Sequence, residues 1–301
     1  MGAEEEEVIE RSSDIEVPKP SGKYTLVEPL SFLEEQKSFK NRCLIVLNQP
    51  LERIPVRNLW KKTSLHICAD GGANRIYDYF TEKEREEYIP DFITGDLDSL
   101  KKDVAEYYHN RGSIIIPQRS QYLTDFGKSI CLAHLYFNSE KSRKSLYEKV
   151  DEQEGLAQVE QLLDILHSQT IYLYVVGSLG GRFDQTIHSM STLYSLSLSR
   201  PFLHFYFITD LDAVFLLRKG LNYILYPSKS SFYKHSDVPP CGLSPLGSDS
   251  VVLNTFGLRY DVKNWKSSMK ENVSSSNGLC GKRGVIVEPS DDIIVNIAIE
   301  Y

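Results

Sequence analysis

The sequence predicts a two-domain chain: an N-terminal open parallel α/β domain, Rossmann-like in its alternation, followed by a smaller all-β sandwich domain. Three observations predict it. From Cys43 to about Phe207, short continuous apolar runs alternate with longer amphipathic stretches, the mark of a parallel sheet buried on both faces. After Arg218-Lys219-Gly220 the apolar runs alternate with turn clusters instead of helices. The length, 301 residues at 41% hydrophobic, suffices for one large core or two medium ones, since single cores stop growing at roughly 250–300 residues.

Taken in order, residues 1–20 hold seven acids (Glu4, Glu5, Glu6, Glu7, Glu10, Asp14 and Glu16) against Arg11 and Lys19, and read as a disordered acidic tail closed by Pro18 and Pro20. Two cations against seven acids leave −5 of the chain's net −7 in this segment. The remainder is nearly neutral, which argues against a protein that coats nucleic-acid phosphates. The α/β domain spans 21–218. Its strands are expected at 42–47, 65–69, 92–94, 113–116, 171–176 and 203–208, and its helices at 72–81, 100–111, 125–138 and 184–199. Residues 138–169, rich in Lys, Glu and Gln, bring Leu156, Val159, Leu162, Leu163 and Leu166 to near-helical spacing and read as a helical insertion on the domain surface. The sandwich domain spans 219–301, with strands at 223–226, 251–256, 284–288 and 293–299 and turn clusters at 238–242 and 274–278.

No apolar run approaches the roughly 18–20 residues of a membrane helix, so no membrane partner is expected. The N-terminus has no basic-then-apolar leader, and Glu6 breaks the myristoylation pattern after Gly2. Five scattered cysteines (Cys43, Cys68, Cys131, Cys241 and Cys280) with no CxxC pair suit neither a disulfide framework nor a structural zinc site. A reducing, cytoplasmic setting is expected, in which the sequon Asn272-Val273-Ser274 stays silent.

In an open α/β sheet, ligands bind beyond the carboxyl ends of the strands. Three consecutive strand ends carry acids here: Asp70 in Ala69-Asp70-Gly71-Gly72-Ala73-Asn74, Asp96 and Asp98 in Gly95-Asp96-Leu97-Asp98-Ser99, and Asp125 in Thr124-Asp125-Phe126-Gly127-Lys128. Carboxylates converging on one crevice repel one another unless cations compensate. Ligands that are all oxygen favour a hard cation, in practice Mg²⁺, which keeps positions for phosphate oxygens. Each acid also fits a local role: Asp70 as a helix N-cap, Asp96 and Asp98 as turn residues, Asp125 as a first-turn helix residue. Coincidence at three successive strand ends favours phosphoryl chemistry. Gly71-Gly72 permits close backbone approach at a helix N-terminus that could receive a phosphate. The fifth strand ends in Gly177-Ser178-Leu179-Gly180-Gly181-Arg182-Phe183-Asp184-Gln185. This is neither a Walker loop nor G-x-G-x-x-G, yet it offers bare amides, Arg182 as a cation and Asp184 as a cap; a tight strand–helix turn is the alternative. His188, further along that helix, reads as a packed polar residue more readily than as a base.

These motifs together resemble the eukaryotic thiamin pyrophosphokinase family. Three segments of the β domain carry the resemblance further: Cys241-Gly242-Leu243-Ser244-Pro245-Leu246-Gly247, Gly257-Leu258-Arg259-Tyr260 and Val273-Ser274-Ser275-Ser276-Asn277. It runs from about Cys43 to the C-terminus, the 138–169 insertion excepted. The resemblance implies a homodimer that moves pyrophosphate from ATP to the hydroxyethyl oxygen of thiamine, giving thiamine diphosphate and AMP. By position, Asp70, Asp96, Asp98 and Asp125 would organise Mg²⁺ and the phosphates, with Arg182 neutralising charge. Gly71, Gly72, Asn74, Thr124, Lys128, Gly180, Gly181, Asp184 and Gln185 would complete the nucleotide site. Gln121, Tyr260, Ser275, Ser276 and Asn277 would contact the vitamin, held between the α/β domain and the partner subunit's β domain. Two departures stand out. An acid-rich stretch of the family's animal members reads Ser120-Gln121-Tyr122-Leu123 here, two carboxylates short. Tyr260 replaces a tryptophan expected to stack on thiamine, offering a weaker π face to the cationic thiazolium, and Trp265 nearby reads as packing or rim. Two other readings accompany this one: a metal-dependent phosphoesterase, and a non-catalytic sensor of thiamine or nucleotide.

Overall fold

A computed structural model of the chain describes residues 6–34, 40–163 and 169–300. Leu166 of the expected insertion stripe and Glu4 and Glu5 of the expected tail lie outside the described residues. The chain divides into two compact units, one built from 38–189 and 200–208 and the other from 1–37, 190–199 and 209–301. It is a mixed α/β protein whose first unit carries parallel strands and whose second is rich in β-structure.

In the first unit, β3 (Arg42–Val46), β4 (Leu65–Ala69), β5 (Phe92–Gly95), β6 (Ile114–Pro117), β7 (Ile171–Val176) and β8 (Leu203–Ile208) pair in parallel, numbering running along the whole chain. Their order is β8-β7-β3-β4-β5-β6. Every residue of β3 is buried, as are Leu65, Ile67, Phe92, Ile93, Leu173, Val175 and Phe207, which is why these runs are apolar without alternation. The helices are α1 (Val56–Lys61), α2 (Gly72–Tyr79), α3 (Lys102–His109), α4 (Asp125–Asn138), α5 (Glu140–Ser145), α6 (Gly155–Glu160) and the start of α7 (Phe183–Ser199). α4 is the core helix: Ile130, Leu132, Ala133 and Leu135 are fully covered, and Thr124 caps its first turn by accepting from Gly127 N. The order of the strands reverses between β3 and β7, the position at which an open sheet forms its crevice.

The segment 138–169 is expected to be a helical insertion. It holds two short helices, α5 and α6, in which Leu156 is buried while Leu162 is 84% exposed. It is fastened by the buried Leu146 and Leu156 and by a polar cluster. Glu160 accepts from the buried thiol of Cys131, from the half-buried Arg200 at 2.6 Å and from the buried His134 at 2.9 Å. Burial pushes the Glu160 carboxyl up, and those three partners outweigh it, so the group ends below the ordinary glutamate range.

The second unit contains β1 (Glu7–Glu10), β2 (Thr25–Val27), β9 (Asp212–Leu217), β10 (Asn222–Leu225), β11 (Pro240–Ser244), β12 (Val251–Phe256), β13 (Tyr260–Lys263), β14 (Trp265–Ser267), β15 (Ser274–Gly278), β16 (Gly284–Pro289) and β17 (Ile293–Ala298). One sheet runs β14-β12-β16-β10-β2; β15, β11, β17 and β9 pair side by side, and β1 pairs with β13. Three expectations change here. Of the segment taken as a disordered acidic tail, the described part is built in: β1 runs antiparallel to β13, and Ile15 bridges Gly281. Its charges find partners at Asp14–Lys229, Glu16–Lys282 and Arg11–Asp261. The boundary near 218 also shifts, because β9 pairs along its whole length with β17. Finally, 274–278 is a strand and not a turn, a serine-rich edge whose ladder with β11 needs no apolar side chains.

Candidate active site

Asp70 leaves β4 in a left-handed conformation, φ +45°, which an aspartate tolerates at a cost. It does not cap α2, whose N-cap is Gly71 without a side-chain bond. Its carboxylate turns instead toward the loop after β5, accepting from Ser99 N at 3.2 Å and Leu100 N at 3.1 Å. That loop is bent through Leu97, φ +66°, and Asn74 pins it by donating to Ser99 O and accepting from Lys101 N. Gly95 lets the elements meet: a Cβ there would stand 2.8 Å from Asp70 Cβ and 3.1 Å from Asp125 Cγ.

The result is a cluster. Carboxylate oxygens of Asp70, Asp96 and Asp125 all lie within 4.8 Å of one another. Burial raises the Asp70 carboxyl, and the neighbouring Asp125 charge adds to this against the hydrogen bonds that lower it. Asp96 also feels burial, but the Gln121 amide at 3.1 Å, the Asp98 N–H and the Lys128 charge outweigh it and leave the group lowered. Lys128, almost fully buried, donates to Asp125 Oδ1 at 2.9 Å, and Asp96 N donates to the same oxygen at 3.3 Å. The protein thus supplies part of the compensation that gathered acids require. Asp98 lies outside the group of three; its Oδ1 accepts from the Ser99 hydroxyl.

The cluster opens into a cleft of about 600 Å³ across the carboxyl ends of the parallel strands, a size suited to a small organic ligand. Of the residues singled out in the sequence, Asp70, Asp96, Asp98, Gln121, Thr124, Asp125, Lys128, Arg182 and Gln185 line it. Arg182 is held by Asp184 through two bonds, Nε–Oδ1 at 3.1 Å and Nη2–Oδ2 at 2.6 Å, on an exposed turn. Three of the other glycines lie close against neighbouring chain, while Gly180 is exposed in open space. A Cβ on Gly72 would stand 2.1 Å from Val46 O, and Gly71 and Gly181 lie against the side-chain amides of Asn48 and Gln49. Asn48 and Gln49 themselves line the cleft beside Gly177, at the ends of β3 and β7 where the strand order reverses. They escaped the sequence reading because uncharged amides raise no repulsion argument, although their place after a strand was visible. His188, read as packing, lines the cleft too, with Nε2 3.4 Å from Thr124 Oγ1.

The residues singled out in the second unit form a local group of their own. Tyr260 is 38% exposed on β13, with the Arg259 guanidinium 5.5 Å from its ring centre. Asn277 is buried and clamps the Tyr260 backbone from both sides, accepting from its N–H and donating to its carbonyl, both at 2.9 Å. Ser275 and Ser276 are exposed on the edge strand β15. Among the described residues no helix is long and apolar enough to cross a membrane.

The fold and the site define an α/β enzyme with an acidic cleft at its strand ends, joined to a β-rich unit. Residues 56–203 match the model of the thiamin pyrophosphokinase catalytic domain, and residues 229–294 that of the thiamin pyrophosphokinase vitamin B1 binding domain. A thiamine pyrophosphokinase of Saccharomyces cerevisiae is 36% identical over 277 residues, 86% of either chain. Among solved structures, the thiamin pyrophosphokinase from Candida albicans aligns with a TM-score of 0.89 at 42% identity, covering 98% of this chain and 99% of that one. The yeast enzyme aligns at 0.86 and 34%, covering 97% of each. The chain belongs to the thiamin pyrophosphokinase family.

Proposed function

We propose that this chain transfers a pyrophosphoryl group from MgATP to the hydroxyethyl oxygen of thiamine, releasing AMP and thiamine diphosphate. The observation that carries the reading is the Asp70–Asp96–Asp125 group opening into a nucleotide-sized cleft, in a chain whose second matched segment is a vitamin-binding domain. The donors fit a hard divalent cation: all are carboxylate oxygens, one buried and two half-buried, with no thiol or imidazole in the group. When bound, Mg²⁺ would neutralise charge on the phosphate oxygens of ATP.

The chain's own residues supply positioning and charge. Lys128 holds Asp125 in place, and Gln121 does the same for Asp96. Arg182, at the cleft wall, exchanges Asp184 for a phosphate oxygen as the nucleotide enters. Asp98, which lines the cleft but stands apart from the group of three, is the carboxylate left to take the thiamine hydroxyl proton; Asp125 Oδ1 already serves Lys128 and Asp96 N. The hydroxyl oxygen then bonds to the β-phosphorus in line, the bridge to the α-phosphate breaks, and AMP leaves. In the second unit, Tyr260 offers its ring to the thiazolium, with Ser275, Ser276 and Asn277 alongside. The same reading includes a Rossmann-like first unit and a sandwich-like second one, a homodimer in which the partner's β-rich unit completes the vitamin site, and a cytoplasmic location in keeping with five buried free thiols. Mass spectrometry of products from MgATP with and without thiamine tests it. Thiamine diphosphate and AMP, formed together and only with thiamine, are expected; thiamine-independent phosphate release would mark a phosphoesterase, and binding without turnover a sensor.

A further inference from the structure

The N-terminal segment has no role in the reaction as described, yet it is tied to the turn that carries Tyr260. Arg11 Nε donates to Asp261 Oδ2 at 2.9 Å, and Asp261 is 1% exposed. The remaining capacity of that buried carboxylate organises the turn before it: Gly257 N, Leu258 N and the Thr255 hydroxyl all donate to it at 3.0 Å. The same turn is held by backbone and by packing. Arg11 N donates to Arg259 O at 2.8 Å, Glu10 stands opposite Tyr260 in the β1–β13 ladder, and Val17 fills the space that a Cβ on Gly257 would need. Gly257 has φ +104°, so the turn has little freedom to adopt another shape without losing these contacts.

We infer that the 7–17 segment is a working part of the vitamin site and that Arg11 is a positioning residue, acting through Asp261 to hold the turn from Gly257 to Tyr260 in the form that presents the Tyr260 ring. A carboxylate with its solvent removed holds its three turn donors most firmly when a cation also balances its charge. With that cation gone, the buried charge of Asp261 is left to the three turn donors alone, and the turn loosens. The inference rests on the reading of Tyr260 as a thiamine contact. It predicts an effect on one substrate alone, because every group involved belongs to the β-rich unit and none lines the acidic cleft.

The test uses the full chain and three variants: Arg11→Met, which keeps the stem and removes the charge, Arg11→Lys, and Tyr260→Ala. Arg11→Met should raise the KM for thiamine about tenfold with kcat and the KM for ATP within about twofold, the pattern of lost substrate positioning. Arg11→Lys should recover most of it, since the contact to Asp261 is a single bond that an ammonium can supply. Unchanged KM values in Arg11→Met, or a kcat loss tracking the folded fraction with both KM values intact, would overturn the inference. Tyr260→Ala separates it from the reading beneath. A raised thiamine KM in Tyr260→Ala with Arg11→Met silent defeats the Arg11 role alone. A silent Tyr260→Ala removes the reading beneath, and the inference with it, whatever Arg11→Met does.

Discussion

Replacing Gly95 with alanine should separate the metal binding proposed for the cleft from its folding. The new Cβ would lie 2.8 Å from Asp70 Cβ and 3.1 Å from Asp125 Cγ and Oδ1, where ordinary contact begins at 3.4 Å. Relief at Asp70 therefore takes about 0.6 Å or more of movement, the difference between those two distances. Asp70 Cβ sits directly on the backbone, and the Asp125 carboxylate, although a side-chain end, is held by Lys128 and by Asp96 N. Asp70 is anchored by Thr94 O through its N–H and by Ser99 N and Leu100 N through its carboxylate, and Asp125 opens α4. The displacement accordingly passes into the spacing of the carboxylate group. A misplacement near 1 Å at a reacting centre costs about 100-fold in rate, while crowding a packed site costs stability by about 1–3 kcal/mol. Initial rates of thiamine-dependent AMP formation across a Mg²⁺ titration, with a thermal melt alongside, read both quantities. Turnover should fall about 100-fold and the Mg²⁺ requirement should rise, in a protein that still melts cooperatively. Wild-type turnover at limiting Mg²⁺ would refute the claim that carboxylate spacing at this glycine sets metal binding.

Asp96→Asn and Asp98→Asn should each cut turnover by orders of magnitude, but Asp96→Asn alone should raise the Mg²⁺ requirement, because Asp98 stands outside the group of three; identical Mg²⁺ curves would dissolve that distinction. Glu160→Gln should destabilise the fold by about 3–5 kcal/mol near neutrality, as removing one partner of a buried ionic network does. Because the folded Glu160 carboxyl lies below its ordinary 4.5, its stabilisation is present above that value and lost as pH falls through the folded one. The variant's urea midpoint should therefore be flatter with pH on the acid side, and parallel curves would count against it. Tyr260→Trp should lower the thiamine KM severalfold by offering a stronger π face; an unchanged value would argue that no cation stacks there.

The α/β unit was legible because its signals are local. A strand buried on both faces must be continuously apolar, and β3, β4, β7 and β8 fall within a residue or so of where such runs occur. The acids were legible for a related reason: a carboxylate just past a strand needs no knowledge of distant partners to be noticed, and three in succession point to one crevice. Lys128 shows where that reasoning stopped short. Its spacing of three from Asp125 on a helix start was visible, but a buried ammonium beside a metal-type cluster becomes meaningful only once its burial is known.

What the sequence did not reveal depends on partners far along the chain. In isolation the first twenty residues carry the composition of a solvated tail, since acids at this density bury little apolar area. The order of residues 7–16 comes from partners elsewhere: Lys229 and Lys282 meet Asp14 and Glu16, and the ladder to β13 spans about 250 residues of intervening chain. Lys229 is itself buried, so the pairing works in both directions; a lysine at 7% exposure needs its counter-charge as much as the acidic segment needs an anchor. Charge composition measures how readily a segment dissolves by itself. Whether it stays in solution depends on whether the rest of the chain has buried an opposite charge for it to meet, and here the β-rich unit has done so at Lys229 and, with the sign reversed, at Asp261.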